Sequence, residues 1–261
     1  MYGLIILPIV PMRAVGDERS EMITQLLFGE FLKVIEQSEN WCLVMNVADN
    51  YVGWVNRKMI HPVSDDTFFA AQKMEIVRLS RTYSIIFDVN RNQTMLVPGG
   101  SLIYSLIDHE FKIGNDVWSM IEPVSPVEKY TAGYQIIEIA LQYLNAPYLW
   151  GGKSILGIDC SGLVQVVFAI GGYLLPRDAS QQVAKGKVVD FLAEALPGDL
   201  AFFENEKGDI SHVGILVDST KIMHASGWVK IENIDNQGVI SSSTGKYTHR
   251  LRVIKRIINF V

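Results

Sequence analysis

Gly157-Ile158-Asp159-Cys160-Ser161-Gly162 is the stretch that decides how the second half of the chain folds. A glycine turn leads into Asp159, a residue type that caps helix N-termini. The apolar run over residues 161–173 then predicts a helix buried on nearly every side. Cys160 falls in its first turn. There the helix dipole and unpaired backbone N–H groups favour a thiolate, and the same groups can steady an oxyanion at an attacked carbonyl. Asp159 opposes the thiolate, so full activation calls for a cationic partner. Taken alone, a single cysteine ahead of a buried helix is more often a small core hydrophobe than a nucleophile.

Two histidines follow, in Ser211-His212-Val213-Gly214-Ile215-Leu216-Val217 and in Lys221-Ile222-Met223-His224-Ala225-Ser226. Each by itself reads as a hydrogen-bonding strand residue. Whether they cooperate depends on hairpin register, because a slip of one residue sends every side chain to the other face. A two-residue loop at Ser219-Thr220 sets His224 opposite Ile215 and separates the pair. A three-residue loop from Asp218 to Thr220 sets His224 opposite Gly214, on the face of His212 and about 7–8 Å along the diagonal. A joint role therefore predicts an odd loop or a bulge. In that geometry His212 is the base for Cys160, and His224 orients it and stabilises its charged form. A zinc site of Cys160, His212 and His224 lacks the short paired spacings of such sites, and no metal or other cofactor is expected.

Further out, residues 134–144 (YQIIEIALQYL) carry apolar residues at helical spacing and stop before Pro147. After Pro197-Gly198 come strand-like runs: DLAFF, HVGILV, KIMHAS and RLRVIKRII. Helices first and strands afterwards give an α+β arrangement for this region. The chain before it reads as two β segments. The first holds LIILPIV, FLKVIEQ, WCLVMNV and YVGWV; the second holds SIIFDV, TMLVPGG, SLIYSLI, FKIGN and VWSMI. Such spacing suggests small barrels. His61-Pro62-Val63-Ser64-Asp65 and Glu122-Pro123-Val124-Ser125-Pro126 mark the seams. Three domains result: 1–62, 63–125 and 126–261, within the two or three that 261 residues suggest.

The charge of −5, without long Lys/Arg runs, argues against a nucleic-acid partner. Cys42 and Cys160 form no disulfide framework. Residues 3–10 (GLIILPIV) are too short to span a bilayer and lack a basic n-region and a cleavage site. They read as a strand, and the chain as written looks cytoplasmic. A periplasmic or exported protein whose signal had been trimmed would look the same.

Several motifs occur in chain order across the third region. They are Pro147-Tyr148-Leu149-Trp150-Gly151-Gly152, Asp159-Cys160-Ser161-Gly162, Leu175-Pro176-Arg177-Asp178, Pro197-Gly198-Asp199-Leu200, Ser211-His212-Val213-Gly214-Ile215 and His224-Ala225-Ser226. Together they resemble the NlpC family of bacterial cell-wall cysteine peptidases. The resemblance implies a papain-like catalytic domain with Cys160 as nucleophile, His212 as base and His224 completing the triad. The two β segments more loosely resemble bacterial SH3-like domains. Tandem SH3-like domains ahead of this domain resemble the γ-D-glutamyl-L-diamino acid endopeptidases, or dipeptidyl-peptidase six type. Those enzymes cut between D-Glu and the diamino acid of peptidoglycan stem peptides with a free L-Ala amine.

On that resemblance Asp159 and Ser161 bind the amine, with Glu21 as a second carboxylate and Tyr51 as a wall or donor from the first domain. A closed pocket of this kind excludes a longer chain. Bland readings stand beside these: Glu21 as a solvated charge, Tyr51 and Trp150 as packing residues. Trp150 otherwise walls the pocket, Asp178 hydrogen-bonds substrate, and Arg177 faces its carboxylates. Ala179 stands where the family often has Ser, so a hydroxyl is missing there. Other readings are an idle muropeptide-binding module, and an acyltransferase or amidase using the same Cys-His chemistry.

Overall fold

A computed structural model of the chain describes residues 1–124 and 131–258. The seam read at residues 122–126 therefore lies partly outside the described residues. Two compact units are found, Met1–Pro126 and Val127–Val261.

In the first unit, β1 (Tyr2–Leu4), β2 (Ile9–Arg13), β3 (Met22–Leu27), β4 (Phe31–Gln37), β5 (Trp41–Asn46), β6 (Val52–Asn56) and β7 (His61–Val63) form one sheet. Their order is β3-β2-β6-β5-β4-β1-β7. Alternation sets the faces: Cys42 and Val44 of β5 point into a core with Val10, Met12, Leu26 and Val55. The single strand read over residues 3–10 is two strands. The backbone at Ile5 leaves the first to bond with Gly29 and Glu30 instead.

The seam read at 61–65 is also ordered. His61–Val63 pairs with β1, and the Ser64 hydroxyl accepts from Thr67 N–H to cap α1 (Asp65–Ala71), a helix the sequence reading lacked. Beyond it lie β8 (Ile76–Arg78), β9 (Tyr83–Asp88), β10 (Gln93–Pro98), β11 (Leu102–Tyr104), β12 (Glu110–Ile113) and β13 (Asp116–Met120). They pair as a four-stranded sheet, β10-β9-β13-β12, and a two-stranded one, β11-β8. Leu4, Phe28 and Phe31 share a core with Phe68, Tyr104 and Trp118, so the two β segments bury apolar surface in common.

The second unit opens with α2 (Gly133–Leu141) and a short hairpin, β14 (Lys153–Ser154) and β15 (Gly157–Ile158). Then come α3 (Cys160–Ile170), α4 (Ala179–Gln182) and the strands β16 (Lys187–Val189), β17 (Leu200–Glu204), β18 (Ile210–Leu216) and β19 (Lys221–Ser226). Three more strands follow, β20 (Trp228–Ile234), β21 (Gly238–Ile240) and β22 (Tyr247–Arg256). The sheet order is β16-β22-β17-β18-β19-β20-β21, and β21 also pairs with β22. That extra pairing closes β17 to β22 into an antiparallel barrel, with β16 on the outside edge.

Alternation divides the barrel residues. Ala201, Phe203, Leu216, Ile222, Val239 and Ile254 fill the interior. Leu200, Phe202, Val213, Ile215, Met223 and Ala225 face outward and pack on α2 and α3. Every residue of α3 from Cys160 to Phe168 is buried, as its all-round apolar sequence requires.

Candidate active site

Asp159 precedes α3 in extended conformation (φ −95°, ψ 176°), and its Oδ1 accepts the Gly162 N–H at 2.7 Å. Oδ2 accepts the Gly151 N–H at 2.8 Å. Gly162 is required here: a Cβ on it would lie 2.3 Å from the Gly152 carbonyl oxygen. Arg177 grips both carboxylate oxygens, Nη1 to Oδ1 at 3.1 Å and Nη2 to Oδ2 at 2.5 Å. Its Nη1 also donates to Ser161 Oγ at 2.8 Å, and Arg177 as a whole is 1% exposed. Asp159, Ser161 and Arg177 are thus brought together around Cys160. The expectation that Arg177 faces substrate carboxylates needs correction, since this side chain is buried in a two-pronged ion pair.

Cys160 is 8% exposed, and the backbone N–H groups of Ser161 and Val213 lie close enough to its sulfur to favour the thiolate. Val213 follows His212 directly, so the sulfur meets β18 at the level of that histidine. The thiolate expected from the helix terminus is not the resting form. Burial pushes the thiol up to about 11 and Asp159 adds to the rise, against the two N–H groups and Arg177. Tyr148 stands close enough to feel both groups: burial first, then Cys160 and Asp159, push its hydroxyl up to about 12.

The hairpin that carries the histidines has the odd loop their cooperation requires. Ile215 pairs with Met223 and Leu216 with Ile222, and Val217 N–H donates to Lys221 O around residues 218–220. Asp218 shapes the turn by accepting from the N–H and hydroxyl of Thr220, both at 2.7 Å. The register, carried on, sets His224 opposite Gly214. A Cβ at Gly214 would come within 3.0 Å of His224 Cβ, so glycine there admits the close approach. His212 Nε2 and His224 Nδ1 are 2.9 Å apart, and His224 Nε2 lies 2.9 Å from Glu232 Oε2.

Three residues near these centres escaped the sequence reading. Glu232 lies on β20 facing His224, among alternating Val229-Lys230-Ile231-Glu232 that signals a strand but no function. His249 comes from β22 and stacks on His212, ring centroids 4.1 Å apart. Tyr148 sat within a recognised motif without an assigned task. His212, His224 and His249 place a nitrogen each within 4.8 Å of one another; among the described residues, this set is the one that could hold a metal ion.

Burial, with His249, His224 and Lys230 adding to it, holds His212 well below the ordinary histidine range. Burial likewise brings His224 down to about 4 despite the opposing Glu232, and lowers His249. All three imidazoles are therefore neutral at pH 7. Glu232 is held below the usual carboxylate range: burial opposes this, but Ser242 N–H, His224 and Lys230 outweigh it.

The remaining candidates are spread out. Trp150 is 60% exposed, which excludes a core role. Asp178 is half-buried at the start of α4, where its side chain makes no capping bond. In the first unit, Glu21 is exposed just before β3, and Tyr51 packs partly against the core of its own sheet.

Similarity to known proteins agrees with this geometry. The model of the NlpC/P60 family matches residues 145–248, and that of the bacterial dipeptidyl-peptidase SH3 domain matches residues 12–60. A Bacillus subtilis (strain 168) protein named gamma-D-glutamyl-L-lysine dipeptidyl-peptidase is 30% identical over 224 residues, 77% of this chain and 71% of the relative. Dipeptidyl-peptidase 6 of Lysinibacillus sphaericus is 25% identical over 264 residues, 91% of this chain and 93% of that one. The fold matches the crystal structure of an NlpC/P60 family protein from Bacillus cereus ATCC 10987 with a TM-score of 0.83 and 18% identity, covering 99% of this chain and 100% of the other. With a cysteine at a buried helix start, a histidine pair on the facing barrel and relatives matched along most of both chains, the chain belongs to the NlpC/P60 family of peptidoglycan hydrolases and carries a bacterial dipeptidyl-peptidase SH3 domain.

Proposed function

We propose that the chain is a cysteine endopeptidase that hydrolyses the γ-D-glutamyl–diamino acid bond of stem peptides with a free N-terminal L-Ala. The observation that carries the chemistry is a set of buried groups: the Cys160 sulfur near the backbone N–H of Val213, the residue after His212, and the line His212, His224 and Glu232. A thiol with its pKa near 11 needs a base at the moment of attack, and neutral His212 is that base. The sulfur adds to the D-Glu γ-carbonyl carbon as His212 takes the thiol proton. Collapse of the tetrahedral intermediate breaks the C–N bond, and the imidazolium returns the proton to the leaving amine. Water, deprotonated by His212, then cleaves the thioester. Tyr148, kept protonated by its raised pKa, is a suitable donor to the oxyanion.

The γ-D-glutamyl bond is supported by the name of the Bacillus subtilis relative, and the free L-Ala amine by the family resemblance of the sequence. A cysteine-bearing helix laid on a histidine-bearing barrel is in keeping with a papain-like catalytic domain over residues 126–261. We read residues 1–62 and 63–125 as two SH3-like domains, the first carrying the candidates Glu21 and Tyr51, and Trp150 and Asp178 as lining the pocket of the catalytic domain. A second reading, an endopeptidase indifferent to the free amine, draws on Asp159, whose carboxylate is already met by Gly151, Gly162 and Arg177.

One experiment separates the two. L-Ala-γ-D-Glu-diaminopimelate and its N-acetylated copy are incubated with the full chain and products are followed by mass spectrometry. Cleavage of the free peptide alone supports amine selection. Equal cleavage of both leaves the second reading, and no cleavage of either with Cys160 intact sinks the peptidase assignment.

A further inference from the structure

Glu232 has its two carboxylate oxygens committed to different partners. Oε1 accepts the backbone N–H of Ser242 at 2.9 Å and its hydroxyl at 3.2 Å. Oε2 faces His224 Nε2 at 2.9 Å, with Lys230 Nζ 3.5 Å away. The His224 side chain is wholly buried and that of Glu232 is 2% exposed, so water does not compete for these bonds.

An ionised carboxylate only accepts, so the hydrogen in the His224–Glu232 bond belongs to His224 Nε2. A neutral imidazole carries one N–H, which leaves His224 Nδ1 bare. Its partner at 2.9 Å, His212 Nε2, must then be the donor. His212 Nδ1 is left with its lone pair. We propose that Glu232 is a positioning residue that sets the tautomers of His224 and His212 in series, so that Nδ1 is the nitrogen of His212 able to take a proton. The inference deepens the proposed role of His212 as base and depends on that role only for its effect on rate.

Glu232→Gln inverts the series. The Ser242 N–H is fixed in the backbone and keeps the amide oxygen on its own side, so the Gln NH2 group faces His224 Nε2. That nitrogen becomes an acceptor, the hydrogen moves to His224 Nδ1, and His212 must accept at Nε2 and carry its hydrogen on Nδ1. The base is then blocked without loss of any ring.

Ring-nitrogen NMR spectra of the full chain labelled with 15N-histidine read this directly. In the wild-type protein His212 and His224 are expected to show N–H at Nε2 and a bare Nδ1; in Glu232→Gln both exchange. On the stem peptide, kcat of Glu232→Gln falls about 10²–10⁴-fold, the usual worth of a general base, with KM little changed. Glu232→Asp, which keeps a carboxylate, restores the wild-type ring pattern and part of the rate. A wild-type His212 protonated at Nδ1 overturns the proposal, as does a Glu232→Gln protein with unchanged tautomers and unchanged kcat. If Glu232→Gln does not fold, the wild-type spectrum decides alone. If the expected tautomers are found but no stem peptide is cleaved, the substrate reading fails and this one stands.

Discussion

At the start of α3, Asp159 and Arg177 hold full opposite charges in contact, both 5% exposed or less. At the neighbouring end of the barrel, His212, His224 and His249 are kept neutral, with Glu232 carrying one charge beside them. Both arrangements remove polar groups from water, and they do so for different ends. A salt-bridged pair fixes geometry: it holds the cap of α3, the Gly151 turn and the Ser161 hydroxyl in place. Neutral imidazoles retain the capacity to gain a proton, which a group already fully charged has lost. Rigidity sits on the side of Cys160, and titratable capacity sits on the side of His212.

Breaking the charged side should have the largest effect. Arg177→Met leaves the Asp159 carboxylate buried without its counter-charge, and urea unfolding should show a loss of about 3–5 kcal/mol. A loss below about 1 kcal/mol would mean that the backbone N–H groups alone sustain the charge.

The neutral side should reveal itself through pH. A histidine whose pKa is depressed by folding is bound by fewer protons in the folded state than in the unfolded state below pH 6.5. Its neutral form therefore costs nothing at pH 7, and stability falls as the pH drops from about 6.5 toward 4, the value to which His224 is lowered. Each such group contributes roughly 1.4 kcal/mol per pH unit in that window. Urea midpoints at pH 7, 5.5 and 4.5 measure the slope, and His224→Asn should reduce it. A flat profile would show that the imidazoles take up protons as readily in the folded protein as in the unfolded chain.

Smallest is the effect of the turn that sets the histidine register. Asp218→Ala removes two local hydrogen bonds and should cost about 1 kcal/mol in thermal unfolding while leaving cleavage measurable. Loss of activity with retained stability would show that the turn does more than close the hairpin.

What was legible in the sequence was local. Asp159 as a cap and the buried helix after it follow from residue type and spacing. The three-residue loop between Val217 and Lys221 follows only on the condition that His212 and His224 share a face. His249 was not legible, because it reaches His212 only through closure of the barrel by β22, and nothing in the alternation of a strand says which strand it will lie beside. Glu232 lies on the strand that directly follows and pairs with β19, and was hidden because alternation marks a strand face without marking a function. The pKa of Cys160 failed in sign: the helix terminus and N–H groups act as expected, but the depth of burial that outweighs them is a tertiary property. Arg177 was assigned to solvent-side recognition because its partner, 18 positions earlier, is next to it only in space.

The seam between β18 and β19 has a mechanical side. Backbone pairing holds it at Ile215 and Leu216; continued, it would set Val213 opposite Ala225, where the Val213 N–H lies near the sulfur of Cys160. Beyond that point the two strands are clasped by the His212–His224 hydrogen bond. The contact between the two imidazoles is thus also a rivet in the wall of the barrel.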